Sequence, residues 1–364
     1  MASPLTPYLR TLTSTNPIFT DADLRTCLHT IFTEDVPVVQ TAAFLAVLRA
    51  RGLDSDPRII AAAAQTMKEF SHKVDVPPAG YVDVVGTGGD GKNTFNVSTT
   101  SGLVAAGLGL SVCKHGNRAS TSTSGAADLL INLGASIQSV TPFTASQVLA
   151  ESPFVFLFAP VYHPVFGKIA PVRKALGFPT IFNVLGPLLN PAPISYRIIG
   201  VNAAELGAIF ARTIILLDRA AGTQSSSMIV WGEEGLDEIS PSGNTRIWRV
   251  TPGSDEVVES IISPTDFGIT RHALEEVGSG TAEENARVVE HLVAGNLPEG
   301  HPILDWVLIN AAALAVVAGK AATWKDGVVL AREAIANGSA KKALESFVGA
   351  TQRAKAEIDL MESN

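Results

Sequence analysis

Apolar residues recur with the period of an α-helix through the first 75 positions of the chain. In TDADLRTCLHTIFTED the apolar side chains fall on one helical face, and Thr20 stands before them as a candidate N-cap. PVVQTAAFLAVLRARG predicts a second helix, which Pro37 can open and Gly52 can close. PRIIAAAAQTMKEFSHKV predicts a third, alanine-rich helix. This part of the chain is therefore predicted to be wholly helical.

A different pattern begins at Tyr81, where short apolar runs alternate with helical stretches. The runs YVDVV, SVCK, FVFLFA, YRIIGV, SMIVWG and TRIWRV predict strands, while STTSGLVAAGLG and SGAADLLINLGA predict helices between them. This alternation is typical of an α/β fold in which helices cover both faces of a mainly parallel sheet.

The stretch DVPPAG separates the two patterns and breaks both periods. We therefore predict a small helical domain over residues 1–77, with helices near 184–218 packing on it, and a larger α/β domain over residues 78–364. The apolar run from Ile303 to Ala318 contains Asp305 and Asn310, and it predicts a buried helix and not a membrane span. The tail KKALESFVGATQRAKAEIDL predicts an amphipathic helix on the solvated surface.

Composition narrows the class of protein. A net charge of -8 and a pI near 5.4 give nucleic acid no electrostatic support as a partner. The two cysteines, Cys27 and Cys113, are far apart and outside any CxxC, which disfavours a disulfide framework or a thiolate metal site and fits a reducing compartment. The N-terminus lacks the apolar core of a signal peptide. We expect a cytoplasmic protein without membrane or nucleic-acid partners.

The loop in DVVGTGGDGKNTFNVSTTSG matches two nucleotide-binding patterns, both beginning at Gly86. The dinucleotide pattern GxGxxG needs an acidic residue at the end of the second strand, where Lys114 stands. The triphosphate pattern GxxxxGK needs Ser or Thr next, where Asn93 stands, and Asp90 would repel a phosphate cradled in that loop. Neither pattern holds.

Three polar loops are nevertheless predicted to meet at the carboxyl edge of the sheet. NVST, with Ser98, opens a helix, and KHGNRASTSTSG, with Lys114 and Arg118, opens another; helix N-termini bind phosphate through free N–H groups. Two such starts predict a ligand with phosphates at both ends. Asp237 and Glu238 in GEEGLDE are candidate Mg²⁺ ligands beside them. A capping role for Ser98 and a solvated acidic turn are the alternatives.

Taken together, GTGGD, NVST, KHGNRA, SGAADLL, VRKALGFPTIFNVLGPLLNP and DEISP resemble the anthranilate phosphoribosyltransferase family from about Tyr81 to the tail, and the helical N-terminal segment fits it too. The resemblance implies transfer of 5-phosphoribosyl from phosphoribosyl pyrophosphate (PRPP) to the amine of anthranilate, with release of pyrophosphate, the second committed step toward tryptophan. It also implies a nucleoside-phosphorylase-like fold, two Mg²⁺ ions and a homodimer through the helical domain.

The resemblance also implies which residues bind PRPP. They come from the glycine-rich loop, the helix start after it and the second loop: Gly86, Gly89, Asp90, Thr94, Asn96, Val97, Ser98, Thr99, Lys114, His115, Gly116, Asn117, Arg118, Ala119, Ser120, Thr121, Ser122 and Ala126. The family commonly has serine where this chain has Ala119, Thr121 and Ala126. At the two alanines, any contact with phosphate must come from backbone N–H groups.

The remaining implied roles concern the acceptor and the metal. Anthranilate is expected to contact Gly86, His115, Asn117, His163 and Arg173. Mg²⁺ is expected on Ser98, Asp237 and Glu238, and the residues expected to act most directly in catalysis are Lys114, Asn117 and Arg173.

Several alternatives stay open on the sequence. Arg173 can instead form an interdomain salt bridge, His115 can be a structural group at a strand end, and His163 can cap a helix. Two other classes share the fold: a pyrimidine nucleoside phosphorylase, with little need for the acidic pair, and a non-catalytic nucleic-acid binder, which should be basic. This chain is acidic and keeps the pair.

Overall fold

A mixed β-sheet with helices on both faces forms the larger part of the protein. The computed structural model describes residues 4–76, 80–119 and 123–363. The strands of the sheet are β1 Tyr81–Gly86, β2 Val112–Gly116, β3 Phe154–Phe158, β4 Ile194–Gly200, β5 Ser226–Gly232, β6 Thr245–Val250 and β7 Val257–Ile262. Their order is β3-β2-β1-β4-β5-β6-β7, with β1 to β5 parallel and β6 and β7 antiparallel. The predicted α/β class, with its mainly parallel sheet, is confirmed.

The N-terminal segment is helical, as predicted, and begins with a helix that the apolar pattern did not indicate. Its helices are α1 Thr6–Thr13, α2 Asp21–Thr33, α3 Val38–Ala50 and α4 Pro57–Glu69. Thr20 caps α2 as expected: its hydroxyl accepts from the Asp23 N–H at 3.2 Å, and the Asp23 carboxylate accepts from the Thr20 N–H at 2.9 Å.

Eleven further helices lie in the described residues after β1. They are α5 Val97–Gly107, α6 Ala126–Asn132, α7 Ala145–Glu151, α8 Ala159–Tyr162, α9 Phe166–Leu176, α10 Phe182–Leu185, α11 Glu205–Ala221, α12 Ala282–Val293, α13 Pro302–Val317, α14 Trp324–Ala336 and α15 Ser339–Glu362. None of the described helices combines the length and apolarity that crossing a bilayer requires.

Two hydrophobic cores lie on opposite faces of the sheet. One joins β1–β3 to α5, α13 and α15. The other joins α1–α4 to α9–α11 and to inward-facing residues of β4 and β5, among them Ile199 and Ile229. Leu185 and Phe210 thus share a core with the N-terminal helices. The domain boundary itself was placed at residues 77–78, outside the described residues, and the division stays a prediction.

The two C-terminal expectations had different outcomes. Helix α13 is buried on all sides, as predicted, and holds Asp305 and Asn310 at 3% and 4% exposure. The tail helix α15 is amphipathic but is not simply a solvated surface element, because its apolar stripe enters the first core. Phe347 is fully buried there and meets the Phe154 ring edge-on at 5.1 Å between centroids.

Candidate active site

The carboxyl ends of β1, β2 and β5 form one wall of a cleft of about 760 Å³, and α8–α10 form the other. The cleft is lined by nearly all the residues that the sequence analysis singled out: Gly86, Gly89, Asp90, Thr94, Asn96, Ser98, Thr99, Lys114, His115, Gly116, Asn117, Arg118, Ala119, Ala126, His163, Arg173, Asp237 and Glu238. Val97 does not line it, since its side chain is fully buried in the first core. Ser120, Thr121 and Ser122 lie outside the described residues.

The glycine-rich loop and the acidic pair are built around each other. The Gly88 N–H donates to Asp237 Oδ2 at 2.7 Å, although the two residues are 149 positions apart. A Cβ atom at Gly86 would lie 2.3 Å from the same oxygen, and one at Gly200 would lie 1.5 Å from the Asp237 backbone oxygen. Because Gly86 and Gly200, at the ends of β1 and β4, have no side chains, the loop after β5 that carries Asp237 has room to cross over β1.

The acidic pair faces the cleft and is not a solvated turn. Burial, and then the nearby Asp90 carboxylate, raise the pKa of Asp237 to about 6. Burial and the Asp237 charge raise the pKa of Glu238 well above its usual value, against a stabilising hydrogen bond from the Ser98 N–H. Glu238 Oε2 is buried without a hydrogen-bond partner in the described structure.

This chemistry fits a hard divalent cation. A nearby positive charge stabilises the ionised form of crowded carboxylates, one of which has an oxygen without a hydrogen-bond partner. Mg²⁺ binds few carboxylates and completes its coordination shell with water and phosphate oxygens. Among the described residues, no group of three or more His, Cys, Asp or Glu side chains has the arrangement of a metal site. A site with two carboxylates, in which the substrate phosphates and water supply the other metal ligands, is consistent with that finding.

Lys114 brings a cationic side chain to the floor of the cleft. It lies at 3% exposure in β2, and its Nζ donates to the Val84 carbonyl and, at 3.4 Å, to Ser98 Oγ. Burial lowers the pKa of Lys114, while Asp83, Glu238 and Asp237 act in the opposite direction. Because an ammonium group has three N–H donors, one remains for a ligand.

The start of α5 offers a second set of polar groups. Asn96 occupies the N-cap position, so Ser98 belongs to the first turn, and the alternative of Ser98 as a plain cap is wrong. Thr99 Oγ1 is buried and has no hydrogen-bond partner in the described structure. The N–H groups of Val97 and Ser98 are already engaged, by the Phe95 carbonyl at 2.7 Å and by Glu238. The two hydroxyls and the helix dipole are therefore what this helix start offers to an anion.

The second loop closes on Asp128 in the first turn of α6. Arg118 Nη1 pairs with Asp128 Oδ1 at 2.8 Å, and Asp128 Oδ2 accepts from the N–H groups of Ala119 and Gly125 at 3.1 and 3.3 Å. The Ala119 N–H, which was expected to contact phosphate, therefore donates to Asp128 in this conformation.

Two histidines join the α/β part to the end of the N-terminal helices. His115 Nε2 and His163 Nε2 lie 3.0 Å apart, and His163 Nδ1 lies 2.6 Å from Ser71 Oγ. Burial, and then the neighbouring ring, lower the pKa of His115 to about 3; burial lowers that of His163 to about 4. Both rings are neutral at physiological pH. The alternative that His163 caps a helix is confirmed for its backbone: it is the C-cap residue of α8, and its N–H donates to the Ala159 carbonyl at 2.9 Å. Its ring is directed to Ser71 and His115 instead.

Arg173 lies on the opposite wall from the acidic pair. Its Nη2 donates to Asn183 Oδ1 at 3.3 Å. Among the described residues Arg173 forms no ion pair, so the structure does not contain the interdomain salt bridge that was its alternative role. Burial lowers the pKa of Arg173.

The apolar lining of the wall that carries Arg173 was not predicted from the sequence. It consists of side chains that flank α8, α9 and α10: Pro160, Phe166, Phe182, Pro187 and Leu189. Most of these residues lie in or near VRKALGFPTIFNVLGPLLNP, which was quoted for its resemblance without separate roles. Phe182 and Leu189 also belong to the second core, so these side chains cannot be distinguished from other core residues in the sequence.

Comparisons with known proteins agree with this geometry. Two family models match the chain: a glycosyl transferase family a/b domain over residues 79–341 and a glycosyl transferase family helical bundle domain over residues 6–71. The anthranilate phosphoribosyltransferase of Schizosaccharomyces pombe is 46% identical, over 90% of this chain and 91% of that protein. The enzyme of the same name from Saccharomyces cerevisiae, solved in complex with PRPP and Mg, superposes with a TM-score of 0.89 at 37% identity, covering 96% of this chain and 98% of that one. The same yeast enzyme has also been solved with 4-fluoroanthranilate, in a variant with a TM-score of 0.86 at 35% identity and the same coverage.

The resemblance in the motifs is confirmed, and the chain belongs to the anthranilate phosphoribosyltransferase family.

Proposed function

We propose that this chain transfers 5-phosphoribosyl from PRPP to the amine of anthranilate and releases pyrophosphate. The observation that carries the proposal is the two-ended cleft. The wall at the carboxyl ends of the strands carries the start of α5, Lys114 and the acidic pair; the opposite wall, on α8–α10, carries Arg173 and apolar side chains. The names of the relatives and the yeast complexes with PRPP, Mg and 4-fluoroanthranilate support the same assignment.

At the phosphate end, the glycine-rich loop and the first turn of α5 bind the PRPP phosphates through N–H groups and hydroxyls. Lys114 donates to a pyrophosphate oxygen with its remaining N–H. Asp237, Glu238 and Ser98 hold Mg²⁺, in two ions by our proposal, and the bound metal supplies charge neutralisation for the leaving pyrophosphate. The buried, unpartnered Glu238 Oε2 supports this metal assignment.

At the other end, the anthranilate carboxylate pairs with Arg173 and the ring lies against the apolar wall. Asn117, Gly86, His115 and His163 complete the acceptor pocket. The aromatic amine is a weak base, so it reaches the ribose C1 largely as the free amine. The amine therefore needs to be positioned for attack at C1 more than it needs a base to deprotonate it. Attack on the face opposite the leaving pyrophosphate predicts inversion at C1.

We further propose a homodimer formed through the helical segment, and a cytoplasmic location. Exposed apolar side chains on that segment, Ile18 at 83%, Val38 at 67% and Val39 at 73%, support the dimer. Two buried, unpaired cysteines are compatible with the reducing compartment.

The proposed function is tested by following anthranilate fluorescence with PRPP, with and without Mg²⁺. We expect a metal-dependent loss of the signal and stoichiometric pyrophosphate. A folded protein that leaves the fluorescence unchanged, but cleaves a pyrimidine nucleoside with inorganic phosphate, would transfer the site to the phosphorylase class.

Arg173→Ala is expected to raise the KM for anthranilate roughly 10- to 150-fold, since a charged hydrogen bond contributes about 1.5–3 kcal/mol. The KM for PRPP should stay within about twofold. Initial-rate kinetics with each substrate varied in turn measure the two constants. The neighbouring exposed Lys174→Ala serves as the matched control. An equal rise in both constants would contradict the acceptor role of Arg173.

Gly86→Ala is expected to lower kcat/KM for PRPP by about 10²-fold or more, because the added methyl group displaces the Asp237 carboxylate it would approach to 2.3 Å. A tenfold excess of Mg²⁺ is expected to restore kcat/KM for PRPP only in part. Gly88→Ala makes no such approach to any atom within 4 Å, although its left-handed φ of 69° adds strain, so it separates backbone strain from displacement of the carboxylate.

A further inference from the structure

A chain of side-chain amides ties together segments that are distant in sequence. Asn96, at the N-cap of α5, donates from Nδ2 to the Ser124 carbonyl at 2.9 Å. Its Oδ1 accepts from Ser124 Oγ at 3.0 Å and from Asn285 Nδ2 at 2.9 Å. Both acceptor positions of this oxygen are thereby used, and one N–H of Asn96 remains for a ligand in the cleft.

Asn285, in the first turn of α12, is held on all sides. It is 3% exposed and does not line the cleft. Besides Asn96, its Nδ2 donates to Ser279 Oγ at 3.0 Å, and its Oδ1 accepts from the Gly280 N–H at 3.0 Å. Its contact with the cleft is therefore indirect, through Asn96.

The backbone groups at the two ends of this series of hydrogen bonds determine which amide atoms donate and which accept. The Gly280 N–H can only donate, so it requires the oxygen of Asn285 and turns the Asn285 nitrogen toward Asn96. The Ser124 carbonyl can only accept, so it requires the nitrogen of Asn96 and turns the Asn96 oxygen toward Asn285. The backbone thus sets the orientation of both amides, without any choice of flip.

A third asparagine, Asn93, reinforces the same connection. Asn93 has a left-handed φ of 48°, which asparagine tolerates better than most residues. Its Oδ1 accepts from the Thr123 N–H at 2.8 Å, and its carbonyl accepts from the Ser279 N–H at 2.9 Å. The first loop is thus hydrogen-bonded to residues 123–124 on one side and to residues 277–285 on the other.

We propose that Asn285 is a positioning residue for the phosphate end of the cleft. By holding the Asn96 amide, it sets the distance between the start of α5 and the end of the second loop, so that both face the same phosphate-bearing group. This role rests on the proposed function, because it assigns to PRPP the ligand that the two segments share.

The sharpest test is Asn285→Asp, which keeps the shape and removes the N–H donors. The carboxylate still accepts from Gly280 but opposes the Asn96 oxygen. We expect the KM for PRPP to rise about tenfold, with the KM for anthranilate within about twofold. Arg287→Gln, on the exposed face of the same helix and 66% exposed, is the control and is expected to match wild type. A fall in kcat with an unchanged KM for PRPP would reduce Asn285 to a folding role and overturn the proposal.

A double-mutant cycle and hydrogen exchange complete the test. Because Asn285 acts through Asn96, Asn285→Asp should add less than about twofold to the PRPP effect of Asn96→Ala; additive effects would overturn the proposal. In the protein without substrates, Asn285→Asp should speed amide exchange at Thr123 and Ser124 but not in β2 or β3, and unchanged exchange there would also overturn it. Failure of wild type to consume PRPP would instead refute the proposed function, while the exchange result still decides whether Asn285 holds the loop.

Discussion

The variant Asp237→Asn/Glu238→Gln is expected to lose turnover by about 10³-fold or more while keeping its fold. The two amides keep the shape of the carboxylates but remove the charge that binds Mg²⁺. Stability should be unchanged or higher, since burial and mutual repulsion raise the pKa of both acids and make their charged forms costly at neutral pH.

The measurement combines kcat over a Mg²⁺ titration with the thermal midpoint in the absence of substrates. Glu233→Gln, an exposed acid in the same turn, is the matched control and should retain wild-type kinetics. Near-normal kcat in the double variant would remove the acidic pair from the catalytic machinery.

The stability that His115 and His163 contribute is expected to fall by about 4 kcal/mol between pH 7.5 and pH 5. Their pKa values in the fold are about 3 and about 4, below the unfolded value of 6.5. The unfolded chain therefore binds up to two more protons over this range. The contribution is fully present above pH 6.5 and is lost as the pH falls toward the folded pKa values.

Denaturant unfolding of wild type and of His115→Gln/His163→Gln at both pH values measures this contribution. The raised pKa values of Asp83, Asp237 and Glu238 act with the opposite sign but are common to both proteins, so they cancel in the difference. His163→Gln alone should show about half the effect. A difference in unfolding free energy that does not change with pH would contradict the buried neutral state of the pair.

The parts of the fold predicted from the sequence are those in which local pattern and burial coincide. Strands β1 to β6 are apolar runs bounded by turns, and Thr20 forms the capping box that its position indicates. Strand β7 was missed because it is an edge strand with an exposed face, and residues such as Glu259 and Ser260 interrupt the apolar pattern.

The candidate site divides in the same way. Loops that follow parallel strands could be placed at one edge from topology alone, and the phosphate-binding groups and acids lie there. The amide of Asn285 could not be foreseen, because it meets Asn96 across 189 positions and carries no local signal. The Ala119 N–H illustrates the opposite case: the expected group is present, yet Asp128 already uses it.

The crossing of the Asp237 segment over β1 sets different evolutionary limits on its two glycines. Gly86 faces the Asp237 side chain, so a lineage that exchanges this acid for a smaller residue could accept alanine at 86. Gly200 faces the backbone oxygen of Asp237, which every residue at 237 carries, so alanine at 200 stays excluded whatever happens to the acid. Among descendants that abandon the chemistry but keep the fold, position 86 should drift together with position 237, and position 200 should not.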